Sequence, residues 1–165
     1  MTIRIDPTAN VSPLADIEDS VRGTVIQVGA RTLIDAFVKI KPAGGVGDVV
    51  IGADCAINSG TVIYTGNGVT IGDAVAIAAN CTLAPTNHEV KDRTRRIRDQ
   101  GFQPSRGGIV IEEDCWLGAG VVVLDGAVIR KGAVIAAGSV VRGEVPAYEI
   151  HAGAPARRIG QRGGG

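Results

Sequence analysis

Aliphatic residues recur at every sixth position along much of this chain. A period of six fits neither the 3.6 residues of a helical turn nor the two-residue alternation of a hairpin strand. It fits a coil of short strands joined by tight turns, with one aliphatic side chain pointing inward from each strand. The residues of these runs are Val11, Ile17, Val28, Ile34, Ile40, Ile51, Ile57, Ile63, Ile71, Ile77, Leu83, Ile111, Leu117, Val123, Ile129, Ile135 and Val141.

A second inward position follows many of these aliphatic residues by four. It holds a small or β-branched residue almost every time, such as Thr61 and Val75. All three cysteines, Cys55, Cys81 and Cys115, fall in this position, and we interpret them as small interior residues rather than as nucleophiles or metal ligands. Stacked coils pair as parallel strands about 4.8 Å apart. The pattern therefore predicts an all-β fold, a parallel β-helix.

Composition agrees with this fold and disfavours several others. The 165 residues include 21 Val, 18 Ile and 24 Gly but only 5 Leu, which favours strands over a helical bundle. Seventeen Lys and Arg balance seventeen Asp and Glu, so the chain lacks the basic balance of a nucleic-acid-binding protein. We find no signal-peptide pattern at the N-terminus and no apolar run of membrane-spanning length. We therefore expect a cytoplasmic protein with reduced thiols, no nucleic-acid partner and no membrane span.

The length suits a single domain over residues 1–165. Within it we expect repeats over about 11–146, a projecting catalytic loop over about 84–108 and a short C-terminal cap over about 147–162. The three glycines at 163–165 are expected to form a disordered end.

The period breaks in three places, and such breaks usually map to loops on the functional face of a solenoid. A Gly-rich insertion lies at Ala43–Asp48, and two extra residues lie within Thr65–Gly68. The large break is the projecting loop, which we call the arm. Between Asn87 and Gly108 it carries six basic and three acidic residues. Such an arm either contacts a phosphorylated ligand or a neighbouring subunit, or is only a solvated, salt-bridged loop.

The chain has two histidines. His88 lies at the root of the arm, and an imidazole with an ordinary pKa of about 6.5 is the usual general base at neutral pH. Composition alone leaves a catalytic and a merely solvent-exposed His88 equally open. His151, near the C-terminal end, we interpret as a surface residue. Two histidines do not supply a three-histidine zinc site, so we expect no metal.

Several motifs, together with the hexads, resemble the hexapeptide-repeat acyltransferases. They are Thr86-Asn87-His88, Cys115-Trp116-Leu117-Gly118-Ala119-Gly120 and Ala152-Gly153-Ala154-Pro155-Ala156-Arg157. The resemblance covers roughly residues 11–160 and is strongest to the galactoside/maltose O-acetyltransferase and xenobiotic acetyltransferase branches. It implies a left-handed β-helix, a hand that spacing alone does not give. It also implies a homotrimer whose active sites lie between subunits and bind acetyl-CoA.

The resemblance also implies roles for individual residues. His88 matches the general base, which takes a proton from an acceptor hydroxyl or amine as that atom attacks the thioester carbonyl, without an acyl-enzyme. The backbone at Gly118 and Ala119 matches the position that stabilises the oxyanion. Trp116, expected to face outward, and the backbone of Ala137 match positions beside the pantetheine. The cations that match positions near the CoA phosphates are Arg142, Arg157 and Arg158.

The acceptor side matches less completely. Asn58 stands where the galactoside branch has a sugar-binding Asn, but Thr or Gly replaces the Asp that accompanies it; Tyr64 and Asn87 complete the acceptor-binding set. Glu89, Asp92 or a backbone carbonyl is expected to orient the base. We therefore expect an acetyltransferase for a sugar-type acceptor, a nucleotide-linked sugar included. A small-molecule or antibiotic acetyltransferase and a non-catalytic β-helix scaffold stay open as alternatives.

Overall fold

The computed structural model describes residues 2–163, and in that part of the chain 21 short strands form three sheets around a common core. Sheet 1 contains β1 (Ile3–Ile5), β4 (Ile26–Val28), β7 (Val49–Ile51), β10 (Val69–Ile71), β13 (Ile109–Ile111), β16 (Val128–Ile129) and β19 (Glu144–Val145). Sheet 2 contains β2 (Asn10–Val11), β5 (Leu33–Ile34), β8 (Ala56–Ile57), β11 (Ala76–Ile77), β14 (Trp116–Leu117), β17 (Val134–Ile135), β20 (Glu149–Gly153) and β21 (Ala156–Gln161). Sheet 3 contains β3 (Asp16–Ile17), β6 (Lys39–Lys41), β9 (Val62–Tyr64), β12 (Thr82–Ala84), β15 (Val122–Leu124) and β18 (Val140–Val141).

The chain passes from sheet 1 to sheet 2 to sheet 3 in each coil and then returns to sheet 1. Neighbouring strands pair in parallel, with the repeat aliphatic residues in register. Ile51 pairs with Ile71, and Ile71 with Ile111; on the next face Ile57 pairs with Ile77. The prediction of a parallel β-helix is confirmed. Strand pairing begins already at β1, ahead of the predicted start of the repeats.

The two predicted inward positions form the core. Every repeat aliphatic residue from Val28 to Val141 is at most 1% exposed. The three cysteines are buried beside them, as predicted, and none forms a disulfide. Burial raises the pKa of the Cys115 thiol to about 11, so this thiol is neutral and a poor nucleophile near neutral pH. Val11 and Ile17, in the first coil, are only partly buried because one side of that coil has no neighbour.

The corners on the two sides of sheet 3 differ in regularity. Every linker from sheet 2 to sheet 3 has four residues, and we call this the regular corner. The predicted breaks all fall on the other side, between sheet 3 and sheet 1, which we call the irregular corner. There the Gly-rich insertion joins β6 to β7, Thr65–Gly68 joins β9 to β10, and the arm joins β12 to β13.

A hairpin of β20 and β21 closes the C-terminal end, and it is the one antiparallel strand pair in the described residues. Because β20 pairs with β17, His151 lies in register with the interior residue Ile135 and is only 9% exposed. The interpretation of His151 as a surface residue is wrong; its Nε2 atom lies 2.8 Å from the carboxylate of Glu149. Of the expected disordered end, Gly164 and Gly165 lie outside the described residues.

Candidate active site

The root of the arm is organised by a short antiparallel bridge between His88 and Phe102. The N–H of Glu89 donates to the carbonyl of Gly101 at 3.0 Å. The rings of His88 and Phe102 lie with their centroids 4.7 Å apart and their planes inclined by 41°. The bridge therefore gives an exposed imidazole a defined place at the irregular corner.

Neither carboxylate expected to orient His88 contacts it. Glu89 accepts two backbone N–H groups within the arm, which lowers the pKa of its carboxyl. Asp92 accepts the hydroxyl of Thr94 at 2.7 Å, which lowers its pKa in the same way. In the described part of the chain the ring is held by its contact with Phe102, a residue that no sequence motif marks.

His88 lies in the wall between two cavities. The first, of about 290 Å³, opens toward the N-terminal coils, and we call it the apolar cavity. Within residues 2–163, Tyr64 supplies the one free hydroxyl of this cavity, because the hydroxyl of Thr86 donates to the carbonyl of Gly44 at 3.0 Å. The lining residues are Ala43, Gly44, Tyr64, Ala84, Thr86, His88 and Phe102.

The second cavity, of about 420 Å³, extends from His88 toward the C-terminal coils, and we call it the cationic cavity. Arg106 enters it from the base of the arm and Arg142 from the corner that follows β18. Neither guanidinium forms an ion pair with a carboxylate in residues 2–163. The lining residues are Asn87, His88, Val90, Gln103, Arg106, Leu124, Asp125 and Arg142.

The tip of the arm lines neither cavity. There Arg96 pairs with Asp99 at 2.6 Å, with both side chains exposed, and Arg95 donates to the carbonyl of Asp99. Exposed pairs of this kind contribute little to stability. Of the six basic residues in the arm, only Arg106 borders either cavity.

A second group of predicted residues lies at the regular corner. Gly118 packs so closely against the next coil that a Cβ atom would lie 2.6 Å from the backbone nitrogen of Ala137. The N–H of Gly138 donates to the carbonyl of Ala119 at 2.8 Å. The N–H groups of Ala119 and Ala137 have no acceptor among the described residues, so two backbone donors one coil apart are available to a ligand.

The remaining predicted residues lie on sheet 2 or at its corner with sheet 3. Trp116 is 51% exposed on the outer face of sheet 2, as expected. Arg157 and Arg158 lie on the C-terminal hairpin, where Arg158 pairs with a glutamate at 3.1 Å. The side-chain amide of Asn58 donates to the carbonyl of Ile77 at 2.8 Å and belongs to the regular corner.

Within one chain, the two groups of predicted residues do not meet. They lie at opposite ends of the strands of sheet 3, and six extended residues span about 20 Å. A general base acts over about 3 Å, so His88 does not reach the backbone donors of its own chain. The residues at the irregular corner are Tyr64, Asn87, His88 and Arg142, and those at the regular corner are Asn58, Gly118, Ala119 and Ala137.

Asp125 is a site residue that the sequence analysis missed. It borders the cationic cavity and is 4% exposed. The only sequence signal for it is an acidic residue between the interior residues Val123 and Ala127.

Within residues 2–163, no three His, Cys, Asp or Glu side chains converge as metal ligands would. No helix in that part of the chain is long and apolar enough to span a bilayer.

Two family models match the chain on the two sides of the arm. The hexapeptide repeat of succinyl-transferase matches residues 48–85, and the bacterial transferase hexapeptide (six repeats) matches residues 108–143. The unmatched stretch between them is the arm with His88.

Two curated proteins are similar in sequence. A probable acetyltransferase of Mycobacterium tuberculosis is 36% identical over 114 residues, and the galactoside O-acetyltransferase of Escherichia coli is 36% identical over 112 residues. The matches cover 69% and 68% of this chain but 35% and 53% of those proteins. The chain therefore spans about half or less of the length of the curated relatives it matches.

Solved structures show the same fold. AntD, an N-acyltransferase from Bacillus cereus, was solved as a variant in complex with dTDP-4-amino-4,6-dideoxyglucose and coenzyme A. It superposes on this chain with a TM-score of 0.80 at 22% sequence identity. The superposition covers 97% of this chain and 83% of AntD. A hexapeptide-repeat acetyltransferase from Vibrio cholerae, complexed with acetyl coenzyme A, superposes with a TM-score of 0.59 at 27% identity, covering 81% of this chain and 69% of that one.

Proposed function

Because this chain belongs to the hexapeptide-repeat acyltransferase superfamily, we propose that it transfers an acetyl group from acetyl-CoA to a hydroxyl or amine of a sugar-type acceptor. The observation that carries the proposal is the position of His88 in the wall between the apolar and the cationic cavity. A base that serves a two-substrate transfer has to reach the point where the substrates meet. AntD, which binds coenzyme A together with a nucleotide-linked aminosugar, supports the same pairing of substrates.

The two cavities suit the two substrates. We assign acetyl-CoA to the cationic cavity, because it leads from His88 to Arg142, two coils or about 10 Å further along. Guanidinium groups there favour a donor that carries phosphates. We assign the acceptor to the apolar cavity, which Tyr64 lines together with His88. Asn87 lines the cationic cavity and borders His88 from that side. The free thiols of the chain fit a reducing, cytoplasmic setting.

The proposed chemistry is a direct transfer. An imidazole nitrogen of His88 takes the proton from the acceptor hydroxyl or amine while that atom forms a bond to the thioester carbonyl carbon. The carbonyl oxygen then carries negative charge, which backbone N–H donors stabilise. When the carbon–sulfur bond breaks, the sulfur leaves as a thiolate and takes the proton from the imidazolium. The products are the acetylated acceptor and free CoA thiol.

We further propose a homotrimer in which each active site lies between two subunits. The support is the separation of about 20 Å between the irregular corner and the regular corner of one chain. In the assembly, the free N–H groups of Ala119 and Ala137 from one copy would face the His88 of its neighbour. Trp116, exposed on sheet 2, would then border the donor, with Arg157 and Arg158 nearer its phosphates.

The lining of the apolar cavity favours one alternative, a small-molecule acceptor with an apolar body. Tyr64 carries the one side-chain hydroxyl in that lining that has no hydrogen bond within the described residues. A sugar with several hydroxyls would leave some of them without partners there, which weakens binding. The acceptor panel below therefore includes both classes.

The proposal is tested by incubating the full chain with acetyl-CoA and a panel of hydroxyl and amine acceptors, with release of CoA thiol as the readout. The panel contains free sugars, nucleotide-linked sugars and small apolar alcohols and amines. We expect thiol release with at least one class, and we expect His88→Ala to lower kcat about 10²-fold or more. Lys91→Ala, on the same arm but in the lining of neither cavity, is the control and should keep the wild-type kcat.

Two outcomes contradict the proposal. An unchanged kcat in the His88→Ala variant removes the imidazole from the reaction. Absence of acceptor-dependent thiol release across the whole panel favours the non-catalytic scaffold instead.

A further inference from the structure

Asp125 is the one carboxylate in the described chain that is almost fully buried, with 4% exposure. Burying a carboxylate costs free energy unless hydrogen-bond donors surround it. Three donors do so here. The N–H of Gly108 donates to Oδ1 at 2.9 Å, the N–H of Arg106 donates to Oδ2 at 2.9 Å, and Nδ2 of Asn67 donates to Oδ2 at 3.1 Å. Two of these donors, the N–H groups of Arg106 and Gly108, belong to the last residues of the arm, which we call its C-terminal stem.

Asn67 connects this carboxylate to the first residues of the arm, which begin at Pro85 and which we call its N-terminal stem. Its backbone N–H donates to the carbonyl of Pro85, the first residue of the arm, at 3.0 Å. Its side chain reaches Asp125, which lies 58 positions further along the chain. Asn67 belongs to the loop Thr65–Gly68, where the hexad step lengthens from six to eight. The insertion therefore places one residue within reach of both stems of the arm.

The backbone around Asn67 and Asp125 packs closely enough to hold both stems of the arm in place. A Cβ atom on Gly108 would lie 2.4 Å from the carbonyl oxygen of Gly68, and one on Gly66 would lie 2.8 Å from that of Pro85. The N–H of Gly126 donates to the carbonyl of Gly108 at 2.6 Å. Both stems thus lie directly against the corner, and neither contact leaves room for a side chain.

We propose that Asn67 and Asp125 form a clamp that closes the base of the arm and thereby positions His88 between the two cavities. The inference rests on the proposed function, since it takes His88 as the base. Both oxygens of Asp125 are already engaged, so it acts through His88 as a positioning residue. A long loop has many conformations when its ends are free, and a displacement of about 1 Å at a catalytic group can lower the rate about 10²-fold.

The first test measures the arm itself. Asn67→Ala removes one hydrogen bond of the clamp and Asp125→Ala removes three, so the milder variant remains informative if the stronger one folds poorly. Asp73→Ala is the control for loss of a carboxylate that accepts a backbone N–H at a corner, here that of Ala53 at 2.7 Å. Asp73 is exposed and lies between β10 and β11, at the other end of the sheet 1 strands from the arm. We expect amide exchange in residues 85–108 to become about tenfold faster or more in both clamp variants, with the strands after the arm unchanged.

The second test uses the reaction. We expect kcat to fall about tenfold or more in Asp125→Ala, with a smaller change in the KM for acetyl-CoA. If the clamp acts only by placing the imidazole, Asp125→Ala has no further effect on kcat in a His88→Ala background. A purely structural role would lower the rate by the same factor in both backgrounds.

Three results would overturn the clamp. The first is that amide exchange in the arm stays unchanged in both clamp variants. The second is that exchange becomes faster while kcat stays unchanged. The third is that Asp125→Ala lowers kcat in the His88→Ala background by the same factor as in the wild type. A failure of the proposed function looks different, because His88→Ala would then keep the wild-type rate. In that case the exchange measurement still decides whether the two residues hold the arm.

Discussion

The two corners that border sheet 3 supply different kinds of chemical group. At the regular corner, glycines with positive φ, such as Gly120 at +69° and Gly138 at +70°, turn successive coils in the same way. The repetition leaves equivalent N–H groups without an acceptor among the described residues, as at Ala119 and Ala137. At the irregular corner the linkers vary in length, from two residues after β18 to the whole arm. The groups available to a ligand there are side chains.

This difference indicates how each corner tolerates substitution. A backbone donor survives most changes of side chain, because the turn and not the residue type presents it. A site built from side chains, such as the one around His88, depends on the identity of single residues and on the contacts that hold those residues in position. Variants at the regular corner should therefore be informative only when they remove the N–H itself.

Ala119→Pro is the variant with the largest expected effect at the regular corner. Ala119 precedes Gly120 in a turn whose second central residue alone has positive φ, which is the type II pattern that accepts proline at the first central position. The substitution removes the N–H while preserving the turn. We expect kcat to fall about 10²-fold or more, as for loss of an oxyanion donor, with an unchanged or slightly raised Tm.

Ala30→Pro provides the matched control for that experiment. Ala30 precedes Arg31, whose φ is +56°, in a similar turn between sheets 1 and 2. We expect this variant to retain the wild-type kcat. Equal losses in the two variants, or none in Ala119→Pro, would contradict a role for the Ala119 N–H.

Cys115→Ala is expected to have the smallest effect, on stability alone. The same interior position holds alanine two and three hexads later, at Ala127 and Ala133, both fully buried. We expect a loss of about 1 kcal/mol in the free energy of unfolding and no change in kcat. The native thiols should also resist alkylation at pH 8, because burial raises the pKa of all three. A loss of activity would instead make Cys115 a catalytic residue.

The sequence predicted the regular parts of the molecule well, because a hexad is local. Inward positions such as Ile77 and Cys81 can be assigned from spacing alone, and the structure buries both completely. The outward direction of Trp116 follows from the same alternation. The hand of the coil does not, since spacing is the same for either hand.

The irregular corner was predictable in outline only. The break in the period located the arm, and the resemblance singled out His88. Phe102, Arg106 and Asp125 were missed because their partners lie 14 to 58 positions away in the chain, and no periodic pattern encodes such contacts. His151 was misjudged because the cap continues sheet 2, which turns a residue beyond the last hexad inward.

We propose that the base of one copy works with the backbone donors of another, and subunit mixing tests this most directly. His88→Ala and Ala119→Pro are purified separately, each nearly inactive, and then mixed under conditions that allow subunits to exchange. In randomly mixed trimers, a site that combines the intact histidine of one copy with the intact turn of its neighbour forms at about one interface in four. We therefore predict recovery of about a quarter of wild-type activity, and mixed trimers that stay as inactive as their parents would contradict the claim.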